Sequence, residues 1–158
     1  MTEERVTVRA HINAPADRVF AIVSDPAGHV AIDGSGMLEP GVDAVPPSKV
    51  GDTFDMAMDR TPLNDIPGLV KYTVRNTVTV FEPGTHIEWT IGAVDQDPLG
   101  HVYGFVVTPA SDGSCDVEHY CDWSNIVPAL RAAGREWPIV PVSMLEQTLV
   151  RLEAEATK

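Results

Sequence analysis

Asn76, His101, Tyr103, His119 and Cys121 stand at alternate positions in runs whose other residues of the same parity are apolar, which assigns all of them to apolar faces. These residue types carry chemistry. Histidine changes charge near neutral pH and can move protons, and an amide or a phenol can polarise a carbonyl group. His101, His119, Tyr103 and Asn76 are therefore the catalytic candidates, and the same side chains could instead orient a bound molecule. A buried polar group without a partner costs about 1–3 kcal/mol. A cluster of them on one surface needs water, the polar groups of a ligand, or mutual hydrogen bonds in a solid core.

Other chemistries fit the spacing less well. If the Asp112-Gly113 turn closes a hairpin, Phe105 pairs with His119 and His101 with Trp123. The histidines then lie four positions apart along the strands, roughly 13 Å at ~3.3 Å per residue. That is too far to share a metal, and zinc or iron sites usually take three or more ligands, so no metal site is expected. No motif asks for a cofactor, and none is expected. Asp33-Gly34-Ser35-Gly36 lacks the Lys-Ser/Thr of a phosphate loop. Asp25 and Asp33 read as helix-end and turn residues. Glu118 and Asp122 have the exposed parity, which argues against a hydrolytic carboxylate pair. Cys115 and Cys121 are separated by roughly 20 Å in an extended strand and cannot pair with each other, which agrees with a reducing compartment.

Positioning these groups falls mainly to strands. Val6, Val8, Ala10 and Ile12 alternate with polar residues, the pattern of a half-buried strand. Ala14-Pro15 ends it. Ala16, Val19, Phe20 and Val23 then give a short helix its apolar face, and Asp25-Pro26 stops that helix. A second helical turn is expected over 27–32, then loop over 37–51 with a short strand near Met37 and Leu38. Strands follow over 53–60, 70–81, 86–92, 100–108 and 115–123. Residues 61–68 read as a connection, and 124–140, with Pro128, Gly134 and Pro138, as an irregular approach to a last helix. In that helix Val142, Leu145, Leu149, Leu152 and Ala156 recur at steps of three and four, one stripe of an amphipathic helix opened by Pro141.

Strand parity gives the inward sets: Phe54, Met56 and Met58; Tyr72, Val74, Asn76, Val78 and Val80; Ile87, Trp89 and Ile91; His101, Tyr103, Phe105 and Val107; Val117, His119, Cys121 and Trp123. The opposite parity is polar, as in Lys71, Thr73 and Arg75, or His86, Glu88 and Thr90. One face is wetted and one is covered. Joined by short turns, such strands pair antiparallel, and the last helix is expected across their concave face in an α+β fold.

Composition bounds the partners. The 158 residues fit one domain, 1–158, and 44% apolar with 22% charged residues is a globular balance. Net charge is −12, from 11 Lys plus Arg against 23 Asp plus Glu, and the basic residues are scattered, so nucleic acid and anionic lipid surfaces are not expected partners. No apolar run is long enough to span a membrane, and the first residues lack a signal peptide's apolar core. A cytoplasmic monomer or homodimer is expected.

Several local segments then add a resemblance: Ala14-Pro15-Ala16-Asp17-Arg18-Val19-Phe20, Asp33-Gly34-Ser35-Gly36, Gly51-Asp52-Thr53-Phe54, Phe81-Glu82-Pro83 and Asp122-Trp123-Ser124. With the element order, they make the chain resemble the START/polyketide-cyclase-like (SRPBCC, helix-grip, birch-pollen-allergen-like) superfamily, in a bacterial branch labelled polyketide cyclase/dehydrase. The resemblance implies a curved antiparallel sheet gripping a long C-terminal helix, with two short helices after the first strand. It also implies a cavity between sheet and helix for a small or medium hydrophobic ligand, lipid- or polyketide-like. It supplies no shared catalytic motif. The expected wall is Phe54, Met56, Met58, Tyr72, Asn76, Trp89, His101, Tyr103, His119, Cys121, Trp123, Leu145 and Leu149. Three functions remain open: a ligand binder or carrier, a cyclase- or dehydratase-type enzyme using the same cavity, and a non-catalytic interaction module.

Overall fold

Strands with one apolar face form a stable sheet only where those faces share a cover. The computed structural model describes residues 3–40 and 44–158. In chain order the elements are β1 (Arg5–Ile12), α1 (Ala16–Val23), α2 (Pro26–Ile32), β2 (Thr53–Asp59), β3 (Lys71–Glu82), β4 (His86–Ala93), β5 (Val102–Pro109), β6 (Cys115–Asp122), α3 (Pro128–Ala132) and α4 (Val142–Ala156). The strands build one six-stranded sheet in the order β1-β6-β5-β4-β3-β2, antiparallel throughout. The sheet is curved and open, and α4 packs on β1 and β6 with α1 and α2 beside it. This is the α+β helix-grip arrangement expected from the sequence. A short bridge pairs Leu38 with Met58; part of the 37–51 loop reading, residues 41–43, lies outside the described residues.

The register holds where the site is built. Phe105 faces His119 and Tyr103 faces Cys121; Met58, Met56 and Phe54 face Tyr72, Val74 and Asn76. One inward assignment fails. The β3–β4 register shifts between Val78 and Val80, so Val80 pairs with Glu88 and Phe81 with Ile87. The extra residue of a bulge reverses strand parity. Phe81 therefore turns inward and meets Phe20 edge-on at 5.8 Å, and Val80 leaves the inward set.

On the other face, Tyr120 is buried although its parity points outward. Its ring lies over Gly104, where an added Cβ would come within 2.4 Å of it. The hydroxyl donates to Glu88 and accepts from His86 Nε2–H at 2.8 Å, with the Arg5 guanidinium 3.8 Å above the ring. Burial and then the Glu88 carboxylate keep that phenol protonated.

Helix ends follow local chemistry. Asp25 caps α2 by accepting from the Ala27 N–H at 3.0 Å, with Pro26 in the first turn. The stretch read as irregular contains α3, because Pro128 opens a helix instead of breaking one and Gly134, at φ +68°, follows its end. Pro141 caps α4, and Val142 faces outward at 39% exposure, outside the expected stripe. Thr148 takes a buried place, its hydroxyl donating to Met144 O and accepting from Gly34 N–H. Any side chain at Gly34 would meet the Met144 carbonyl at 2.3 Å, so that glycine lets α4 approach.

Candidate functional site

A cavity of about 460 Å³ lies between the concave sheet face, α2, the first turns of α4, and the segments around 60–69 and 130–140. Its size suits a small organic molecule. Met56, Met58, Tyr72, Asn76, Trp89, His101, Tyr103, His119 and Leu145 all stand in its wall. Phe54, Leu149, Cys121 and Trp123, also expected there, do not. Phe54 fills the space beside His29 and Trp89, with ring centroids at 5.6 and 6.2 Å. Leu149 is core. Cys121 and Trp123 form a second cluster with Ile126 and Leu145. Trp123 stacks on Trp137 at 6.1 Å, and it is Trp137 that lines the cavity. Parity told which face these residues take, and a second layer of protein decides which of them reach the space.

The polar wall groups fall into two kinds. His119 Nδ1 lies 2.9 Å from the Gly104 carbonyl, which can only accept; the proton is therefore on Nδ1 and Nε2 carries the lone pair. Its ring stacks flat on Phe105, 4.0 Å between centroids. By contrast, Asn76 Oδ1 and His101 Nδ1 are buried with no hydrogen-bond partner among the described residues. His101 packs edge-on against Tyr103 and Trp137, at 5.9 and 5.0 Å. Burial depresses His119 and His101 to about 4, so both rings are neutral at pH 7. Burial foremost, with Cys121 beside it, raises the Tyr103 phenol. Burial also pushes the Cys121 thiol up to about 12, which leaves it a thiol and not a nucleophile.

Sequence reasoning passed over several wall groups. His29 on α2 donates from Nε2 to the Val23 carbonyl, and its ring lies 4.7 Å from Trp89; burial lowers its pKa. Its signal was available, since Pro26, His29 and Ile32 recur at steps of three and are the buried face of α2. Asp33, which the sequence marks as a turn residue, and Ser35, which it does not single out, also line the space. Asp33 is engaged by the Ser35 N–H and hydroxyl and by the Leu38 N–H, at 2.6–2.9 Å.

At the mouth, Arg60 donates to both oxygens of Asp65 at 2.7 and 2.9 Å and to the Tyr72 hydroxyl at 2.9 Å. Arg135 donates to the same carboxylate. Arg60 first, then Arg135, holds the Asp65 carboxyl at about 2. Arg60 closes the strand read over 53–60, whereas Asp65 and Arg135 belong to segments read only as a connection and an irregular approach. Among the described residues no three His, Cys, Asp or Glu side chains form a metal-holding group. No helix among them is long and apolar enough to cross a membrane.

Comparison with known proteins agrees with this geometry. Residues 3–157 match the family described as polyketide cyclase / dehydrase and lipid transport. The chain belongs to that family. A curated relative, the uncharacterised protein Rv0088 of Mycobacterium tuberculosis, is 33% identical over 97 residues, 61% of this chain and 38% of that protein. The chain thus matches well under half of that relative's length.

Among solved structures, protein CV1439 from Chromobacterium violaceum superposes with a TM-score of 0.69 at 17% identity, covering 98% of this chain and 99% of that one. Norcoclaurine synthase from Thalictrum flavum, solved with dopamine and hydroxybenzaldehyde, gives a TM-score of 0.61 at 14% identity, covering 97% and 86%. At such identities the likeness to solved structures is one of fold, so what this polyketide cyclase/dehydrase and lipid transport family member does rests on its own wall residues.

Proposed function

We propose that the chain is a single cytoplasmic binding unit for a small, mainly apolar molecule bearing hydroxyl or similar donor groups. One observation carries the reading: Asn76 Oδ1 and His101 Nδ1 are buried and unpartnered in the wall of an otherwise largely apolar cavity. Leaving them so costs about 1–3 kcal/mol each, a cost that a ligand removes with a donor for Asn76 Oδ1 and with a donor or an acceptor for His101 Nδ1, according to its tautomer. Two free, buried cysteines fit a reducing compartment. A thermal-shift and native mass-spectrometry screen of hydroxylated aromatic and lipid-like compounds tests it. Binders should raise the melting temperature of the wild type, and Asn76→Leu should weaken hydroxylated binders about tenfold while sparing their deoxy analogues. Absence of any bound species, or equal loss for both series, refutes it.

The His119 tautomer favours one second reading, a cyclase- or dehydratase-type enzyme. There the Nε2 lone pair would face a substrate beside the Tyr103 hydroxyl. That reading requires His119→Gln to abolish turnover while leaving binding within a few fold.

A further inference from the structure

The cavity is apolar over most of its wall, but its mouth is not. Arg60 and Arg135 both line it, and they share one carboxylate, Asp65. Arg60 is committed: three of its N–H groups serve Asp65 and Tyr72, and only 11% of its side chain is exposed. Arg135 is not. It gives one nitrogen to Asp65, its other N–H groups meet no acceptor among the described residues, and its side chain is 29% exposed. A guanidinium carries five donors in a planar fork that matches a carboxylate edge. The cluster is therefore one negative charge short, with the unused donors on the more accessible arginine. Asp33, the carboxylate in the wall itself, already accepts three hydrogen bonds from its own loop.

The surroundings select an amphiphile. Ile66, Leu69, Trp137 and Ile139 line the cavity on the same two segments as the arginines. A free anion would gain little there, because the chain's net charge of −12 repels it on average. An acid with an apolar body gains both burial and the fork. Resting on the cavity-binding reading, we propose that the mouth is a carboxylate site centred on Arg135 and backed by Arg60. The ligand is then a monoanionic amphiphile, its body between sheet and α4 and its carboxylate closing the charge deficit.

The test is calorimetric titration of the full chain at pH 7 with matched hydroxylated pairs: 6-hydroxy-2-naphthoic acid against 6-hydroxy-2-naphthamide, and 10-hydroxydecanoic acid against 10-hydroxydecanamide. Each acid should bind at least about tenfold more tightly than its amide, as one charge-assisted fork implies. The ratio should shrink with added salt, since the site is partly exposed. Arg135→Gln should bring it close to one, chiefly by weakening the acids. Arg135→Lys, which keeps the charge and loses the fork, should fall between. Equal binding of acid and amide by wild type, or an acid preference that survives Arg135→Gln, overturns the carboxylate site and leaves the cavity reading intact. Tighter binding of 6-hydroxy-2-naphthyl phosphate than of the matched acid overturns the monoanion assignment. Failure of every compound to bind overturns the cavity reading beneath it.

Discussion

His101 and His119 sit at about 4 in the folded chain because burial penalises their charged forms, against 6.5 for an exposed ring. The folded state keeps both neutral while the unfolded chain takes up protons below pH 6.5. Their contribution to stability is thus whole above 6.5 and is lost as the pH falls toward 4. The difference between about 4 and the ordinary value corresponds to roughly 3 kcal/mol per ring over the full range. Integrated only from pH 7 to 5, the loss is about 2 kcal/mol per ring and about 4 kcal/mol for the pair. That is a large share of the ~5–15 kcal/mol that holds a typical domain together. His29, lowered by burial, adds loss in the same window. His11, exposed and raised chiefly by its bond to Asp116, works the other way.

The window isolates the histidines from the carboxylates. Asp59 and Asp65 are held at about 2, and in the unfolded chain aspartates titrate near ~3.9, so at pH 5 they are largely ionised in both states. Urea denaturation followed by circular dichroism at pH 7, 6 and 5 reads the effect. The wild type should lose about 4 kcal/mol, and His101→Gln and His119→Gln should each flatten the pH dependence by about 2 kcal/mol, whatever their stability at pH 7. Equal midpoints at pH 7 and 5 with unchanged denaturant slopes would refute the reasoning. So would variants as steep as the wild type.

Two further substitutions test the packing that shapes the cavity. Gly104→Ala puts a methyl within 2.4 Å of the Tyr120 ring and should cost about 1–3 kcal/mol by overpacking. In a Tyr120→Ala background the same change should cost little, and an undiminished cost there would contradict the ring-over-glycine account. Leu152→Ala, at a fully buried position of α4, should destabilise by about 2–5 kcal/mol in urea melts. A cost below ~1 kcal/mol would mean that α4 is not seated on the sheet as described.

What the sequence made legible was periodic and local. Alternation placed β1 through β6, the Asp112-Gly113 turn set the β5–β6 register, and that register carried His119 to its place opposite Phe105. The misses have physical causes. Val80 failed because a bulge reverses parity without any residue type that announces it. Phe54, Cys121, Trp123 and Leu149 have the right parity but are screened from the cavity by His29, Trp137 and neighbouring core, a matter of depth that periodicity does not encode. The mouth was the least legible part. Arg135 and Asp65 are 70 positions apart and lie in segments without periodicity, so nothing short of the folded chain brings them together.

The protonation states also weigh between binder and enzyme. A general base or acid is most effective when its pKa lies near the working pH. At about 4, His101 and His119 are almost wholly unprotonated at pH 7, so neither can deliver a proton, and as bases both are weak. What His119 offers in that state is a fixed lone pair on Nε2, by virtue of the Gly104 carbonyl, whereas no partner among the described residues sets the tautomer of His101 Nδ1. Fixed acceptors in an apolar wall orient hydroxyl groups and discriminate against molecules lacking them. For either ring to move protons, a bound substrate would have to raise its pKa by bringing negative charge close. The carboxylate proposed for the mouth would spend that charge on Arg135 and Arg60 instead, so that proposal and the neutral histidines both favour the binding reading over the enzymatic one.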